Sequence, residues 1–286
     1  MTTYAHGTAR DRLAAFRSEL RKLPAFVRRD FLVAWSYRLP FVGEWVGLAI
    51  SAFMFYFVGL MVDPSKLPTF GGQEVTYMEF VAVGIAISAF IQLALGRVAT
   101  SMSEEQVTGT LESLLMTPTS PATIQVGSVV YDLIYIPIRT AVFLGVIAVA
   151  FGLGLDPSGL LPATVVLLVF IPFVWGLGVA SAGTTLTFRR GSGFIGLGST
   201  ILVLFSGAFY PLDLLPEWVE KVAQLNPITI AVDGMREPLL GGTGWEGVGT
   251  AVLILIPLSA LSLAGGILVF RAALRRERRQ GTLGLY

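Results

Sequence analysis

Few residues of this chain can do covalent chemistry, and their positions narrow the options further. There is one histidine, His6, and no cysteine. No thiolate nucleophile, cysteine metal site or buried histidine base is therefore expected. No Gly-Lys pair occurs in the 286 residues, so the phosphate-binding loop of a nucleotide hydrolase is missing. The expectation is a chain with no catalytic, cofactor-binding or metal-binding residues of its own. Two charged residues stand out because they fall in an apolar stretch: Asp132 and Arg139. Charge at membrane depth is costly and marks a functional contact by default. The two are seven residues apart, on about the same helical face. Either they reach toward each other, or each meets another helix. A helix that begins late would instead leave Asp132 at the interface, while Arg139 is expected inside. Glu44, at one end of an apolar stretch, is expected at the interface near Arg38.

A second chemical feature is a short acidic segment. Ser101–Pro121 reads SMSEEQVTGTLESLLMTPTSP, with three acids and no base. Ser103 followed by Gln106 has the spacing of a capping box. Glu104 and Glu105 fall in the first turn, where the helix dipole favours acids. Leu111, Leu114 and Leu115 add an apolar stripe beside Glu112, and Pro118 and Pro121 stop the helix. The reading is a short amphipathic helix over Ser103–Met116. An anionic leaflet would repel its acids, so a protein partner suits it better than the membrane surface.

The elements that must position these residues follow from composition. Hydrophobic residues make up 54% and charged residues 14%, against about 25% charged in a soluble domain. The mean hydropathy is +0.73. A soluble globular domain and a disordered chain are both excluded. The fold class expected is an all-α polytopic membrane protein, a single membrane domain over residues 1–286. A span needs about 20 mostly apolar residues. Six stretches qualify: Val42–Val62, Phe80–Ala99, Val126–Phe151, Leu161–Phe188, Phe194–Tyr210 and Val248–Phe270. The fifth is short, at 17 residues. Pro137, Pro172 and Pro257 lie within spans, where neighbouring groups can satisfy the freed carbonyls.

Lysine and arginine set the orientation. With six spans, the eight bases of residues 1–41, the five of the tail 271–286, and Arg97, Arg189 and Arg190 all share one side. Only Lys66, Lys221 and Arg236 lie opposite. Both termini are therefore expected in the cytoplasm, and the plasma membrane is the expected location. The basic N-terminal region runs to Arg38 and leads into a span-length stretch, unlike a cleavable signal peptide. Leu23–Leu39 mixes Phe26, Phe31, Leu32 and Trp35 with Arg28, Arg29 and Arg38, and suits a helix lying in the inner interface. The first span also carries Phe53, Phe55, Tyr56 and Phe57, which suit lipid or core contacts. Glycines crowd the first, fourth and fifth spans, as close helix packing requires.

The longest outer segment, Pro211–Gly247, contains two short apolar pieces around Asn226-Pro227. Pro216-Glu217 opens the first. The second is Ile228–Leu240, ending at Gly241-Gly242. Neither is long enough to cross, so the expectation is a hairpin dipping into the outer leaflet, with a helical cap on the surface as the plainer alternative.

Two of these segments resemble one known family. Gly207, Phe209, Tyr210, Pro211, Leu215, Pro216, Asn226 and Pro227 follow the closing signature of the type-2 ATP-binding-cassette (ABC) exporter permeases. Glu105–Pro118, with Gly109-Thr110-Leu111-Glu112, Leu114-Leu115 and Thr117-Pro118, is similar to that family's cytoplasmic loop. The chain departs from the pattern in having no base among the loop's acids. The resemblance implies a permease of six spans that pairs with a second copy as a homodimer. It also implies that Ser103–Met116 docks on a separate ATP-binding-cassette ATPase, which holds the ATP and magnesium. The outer hairpin would border the exit of the path. The substrate class would be an amphipathic or lipid-linked compound, such as a drug, lipid or glycan, with the bilayer around the chain and no nucleic acid as partner.

Two other classes predict different residues. An ion-gradient transporter wants interior acids in several spans and an internal repeat. Here Asp132 is the single candidate, and no repeat is apparent. An intramembrane enzyme wants paired catalytic groups at depth, which the inventory above does not supply.

Overall fold

A computed structural model describes residues 23–36, 38–107, 121–187 and 191–280. Among them the backbone is helical, apart from turns and one isolated bridge between Phe70 and Gln73. The helices are α1 (Leu23–Ser36), α2 (Arg38–Gly59), α3 (Tyr77–Val107), α4 (Pro121–Phe151), α5 (Leu160–Thr187), α6 (Gly191–Leu204), α7 (Glu217–Ala223), α8 (Pro227–Leu240) and α9 (Val248–Gln280). Short single turns occupy Pro64–Lys66, Pro157–Gly159 and Leu212–Leu214.

Among the described residues, five helices are long and apolar enough to cross a membrane: Val42–Gly59, Tyr77–Leu95, Ile134–Phe151, Pro157–Thr184 and Val248–Ala273. They match the first, second, third, fourth and sixth expected spans. The fifth differs. Its helix, α6, has 14 residues, or about 21 Å at 1.5 Å per residue, short of a core about 30 Å thick. The expected stretch Phe194–Tyr210 ran on through Phe205–Tyr210, but there the chain turns instead. Pro137, Pro172 and Pro257 each sit inside an unbroken helix.

The described residues fall into two compact units. The first holds α1, the start of α2, the last residues of α3 from Glu104, and α4 as far as Ile136. Within it Tyr131 stacks on Tyr135 at 5.4 Å between ring centroids. On α1, Phe31 and Leu32 are half exposed beside an exposed Arg28, the composition of an interfacial helix. The second unit holds Val46–Ser103 and the described residues from Pro137 onward.

The core of the second unit is built on α3. Its apolar window is 67% buried, against 11% for α2 and 17% for α9. Phe80, Ile87, Phe90 and Ile91 of α3 are fully buried, as are Leu167, Phe170 and Ile171 of α5. Phe90 meets Phe170 edge to face at 6.1 Å, a favourable ring geometry.

Helices α5 and α9 pack backbone against backbone, and glycine makes it possible. A β-carbon added at Gly176 would lie 2.3 Å from the Ser262 carbonyl carbon, and one at Gly266 would lie 2.2 Å from the Gly176 oxygen. Backbones this close let Ser259 donate to the Val169 carbonyl and Ser262 to that of Phe173, both at 2.8 Å. Small residues and interhelical hydroxyl bonds replace the hydrophobic drive that lipid does not provide. Packing within the chain thus accounts for the glycines of the fourth span. Those of the first and fifth differ: Gly43, Gly47, Gly196 and Gly198 have nothing within 4 Å of an added β-carbon. Gly176→Val should therefore lower stability by about 1–3 kcal/mol through overpacking, read as a lower melting temperature in detergent. Gly196→Val should leave it nearly unchanged.

Candidate functional site: the outer turn and hairpin

The segment after α6 has to reverse direction in a few residues. Gly207 does so at φ +67°, a left-handed conformation that glycine adopts without steric cost. The Ser206 hydroxyl donates to the Val203 carbonyl at 2.7 Å and accepts from the Ala208 amide at 3.3 Å. The Tyr210 hydroxyl donates to the Leu204 carbonyl, closing the turn from its other end. The Phe209 ring stacks on Phe55 of α2 with centroids 5.1 Å apart and planes 3° from parallel. Its carbonyl accepts the Tyr77 hydroxyl at 2.8 Å. Pro211 then precedes the Leu212–Leu214 turn, and Pro216 stands at the N-cap of α7.

Asn226 closes the hairpin. Its side-chain oxygen accepts from the Ile228 amide at 3.0 Å, capping α8, and Pro227 takes the first helical position, where its missing N–H costs nothing. Its side-chain nitrogen donates back to the Leu202 carbonyl at 2.6 Å and the Phe205 carbonyl at 3.4 Å. One amide thus starts α8 and fastens it to the end of α6. Asn226→Ala should cost about 1–2 kcal/mol for the lost cap and clamp, while Asn226→Asp should keep the cap and lose the clamp. Melting temperatures of the two variants measure the split.

The centre of the assembly is Arg236 on α8, 1% exposed. Its Nε donates to the Phe80 carbonyl, one Nη to that of Gly207 and the other to that of Ala208, each at 3.0 Å. A further bond of 3.2 Å runs to the half-exposed Asp233 carboxylate. The guanidinium also lies 3.6 Å over the centre of the Phe80 ring, a cation–π contact. Burial pulls the Arg236 pKa down to about 10, partly offset by Asp233, so the group is charged at neutral pH. Burial pushes the Asp233 carboxyl up, and Arg236 opposes the shift. Ala208 can come this close because position 84 is glycine: an added β-carbon there would lie 2.0 Å from the Ala208 oxygen.

The rest of the outer end is tied just as directly. Thr76 and Glu79 cap α3 reciprocally, with the Thr76 amide donating to Glu79 at 2.7 Å and the Glu79 amide to the Thr76 hydroxyl at 3.3 Å. The second Glu79 oxygen accepts from the Gly154 amide at 2.7 Å, joining the start of α3 to the loop before α5. The Asp156 amide donates to the Leu239 carbonyl at 2.8 Å, holding the end of α8.

The structure thus brings Gly207, Pro211, Asn226 and Pro227 around one turn, with Pro216 a step further on. Arg139 lies in α4 and is 8% exposed. Asp132 lies in the same helix, and its side chain is outside the described residues. The acidic segment needs a correction. Ser103, Glu104, Glu105 and Gln106 belong to the last turns of α3, which runs unbroken from Tyr77 to Val107. Ser103 therefore caps no helix start: the helix runs on through Gly96, Val98, Thr100 and Ser101 although their intrinsic helix propensity is modest. Leu111, Glu112 and Leu115 lie outside the described residues. Sequence reasoning passed over Arg236, Asp233 and Glu79. Thr76-x-x-Glu79 is itself a capping box, and Asp233-x-x-Arg236 has the spacing of a helical ion pair.

A chain whose described residues are helical, with several span-length apolar helices among them, is a multi-pass membrane protein. The family described as "ABC-2 type transporter" matches residues 22–240. That match takes in α1 to α8 and the whole signature turn, and the chain belongs to this family. It is similar to the linearmycin resistance permease protein LnrN of Bacillus subtilis, 26% identical over 203 residues, covering 70% of this chain and 51% of LnrN. It is also similar to the probable doxorubicin resistance ABC transporter permease protein DrrC of Mycobacterium tuberculosis, 25% identical over 197 residues, covering 63% of this chain and 66% of DrrC. A third relative is the inner membrane transport permease YadH of Escherichia coli, 27% identical over 170 residues, covering 58% of this chain and 64% of YadH. The matches thus span about half of LnrN and just under two thirds of the other two.

Proposed function

We propose that this chain is the membrane subunit of an ATP-driven exporter that moves an amphipathic or lipid-linked substrate out across the plasma membrane. The observation that carries the reading is the family match over residues 22–240. It is supported by the sequence, which has no phosphate-binding loop, so ATP and magnesium belong to a separate ATP-binding-cassette ATPase. The chain itself is not an enzyme. Two copies form the path. The open glycines and exposed Leu197, Ile201 and Val46 of α6 and α2 suit packing against a second copy. The names of LnrN and DrrC favour a drug-like substrate, while a lipid or glycan fits the same chemistry.

In this reading α6 crosses the bilayer together with the turn that follows it, giving six crossings and cytoplasmic termini, as the distribution of bases requires. ATP-driven closure of the ATPases pushes on Ser103–Met116. The α3 helix carries that push over 31 residues, about 46 Å, to the end where its Phe80 carbonyl meets Arg236. Transport into inside-out vesicles holding the permease and its ATPase tests this. Uptake of a labelled amphiphile should need hydrolysable ATP and survive ionophores. Uptake that collapses with the ion gradient would overturn it.

A further inference from the structure

Arg236 uses four donor bonds on three separate segments of chain, and its acceptors are chiefly backbone. Phe80 lies in the first turn of α3, Gly207 and Ala208 in the reversal after α6, and Asp233 on α8 itself. The carbonyls of the reversal lie past the end of α6, so no helix of their own uses them. A guanidinium fork reaches several such acceptors at once, where an ammonium is a point charge. Other bonds join the same parts: Tyr77 to Phe209 links α3 to the turn, and Asn226 links α8 to the end of α6. Lifting α8 away from α3 would strip a buried cation of its acceptors and orphan the two carbonyls of the reversal together, since the Phe80 carbonyl keeps its place in the α3 ladder.

We propose that Arg236 is a positioning residue that pins α8, the 206–209 turn and the first turns of α3 into one rigid block. The outer end of the path then opens by movement of this block as a unit, with α8 staying on α3. The proposal rests on the transport reading above and deepens it.

The chain has no cysteine, so single thiols can report directly. Val81→Cys on α3 and Val232→Cys on α8 replace side chains that are fully buried. Each is treated from outside with a membrane-impermeant maleimide, in the resting complex and after trapping with ATP and vanadate. Both thiols should stay unreactive in both states. Arg236→Lys keeps the charge but not the fork, and should speed labelling in the resting state about tenfold or more, as expected when charge-assisted bonds are lost. Gly84→Ala, which pushes the Ala208 carbonyl away without touching Arg236, should do the same. Labelling on trapping with Arg236 in place would overturn the rigid block. Protection as complete in both variants as in the parent would overturn the pinning. Failure of the transport reading looks different: no ATPase accompanies the chain and nucleotide changes nothing, while the two variants still report on the pin in the resting protein.

Discussion

Arg236→Ala is expected to cause the largest stability loss of any single substitution in the outer segment. The change removes a cation that serves three carbonyls and a carboxylate. Each buried carbonyl left without a donor costs about 1–3 kcal/mol. Water can reach the half-exposed Asp233 but not the innermost acceptors, so the losses do not cancel. A cavity beside Phe80 adds to them. The total should be about 4 kcal/mol or more, in the tail of single-residue effects. Purified in detergent, the variant should lose its monodisperse peak or melt far below the parent. A melting temperature within a few degrees of the parent would show that the turn holds without Arg236.

The second large effect is on coupling. Replacing Glu105 and Leu111 together by Ala should abolish most substrate-stimulated ATPase activity while the permease stays in the membrane at normal level. Glu105 lies in the last turns of α3, so in the proposed reading it would link the docked segment to the helix whose first turn holds Phe80. Loss of an acid and an apolar anchor from a small docking surface is worth about 2 kcal/mol or more, a factor of about 30 in binding. Unchanged stimulation would remove Ser103–Met116 from the coupling role.

Much of the fold was legible because lipid imposes one simple rule. Any crossing helix must be long and apolar, and four such stretches are read from composition to within about four residues of their observed windows, while the third starts eight residues before its window at Ile134. The end of the fifth expected span fell too late, at Tyr210 instead of Leu204, because composition does not register a reversal. Phe205–Tyr210 keeps two phenylalanines and an alanine, and Gly207, with its left-handed backbone, signals the turn. The boundary at Ser103 misled for the opposite reason. A capping box is a local pattern, and α3 continues through it to Val107. The site was legible as a set of signature residues but not as a mechanism. Gly207 and Asn226 stand out in the sequence, while Arg236 reads as one outer base among three. Its acceptors are backbone carbonyls 156, 29 and 28 residues away. Carbonyls have no side-chain identity, so no pattern in the sequence marks them.

The most direct test of the central claim is to purify the tagged chain from native membranes in mild detergent and identify what accompanies it by mass spectrometry. The account predicts a stoichiometric ATP-binding-cassette protein, and ATPase activity that follows the complex. A folded, monodisperse permease with no such partner would contradict it, and would turn attention to Asp132 and a gradient-driven cycle.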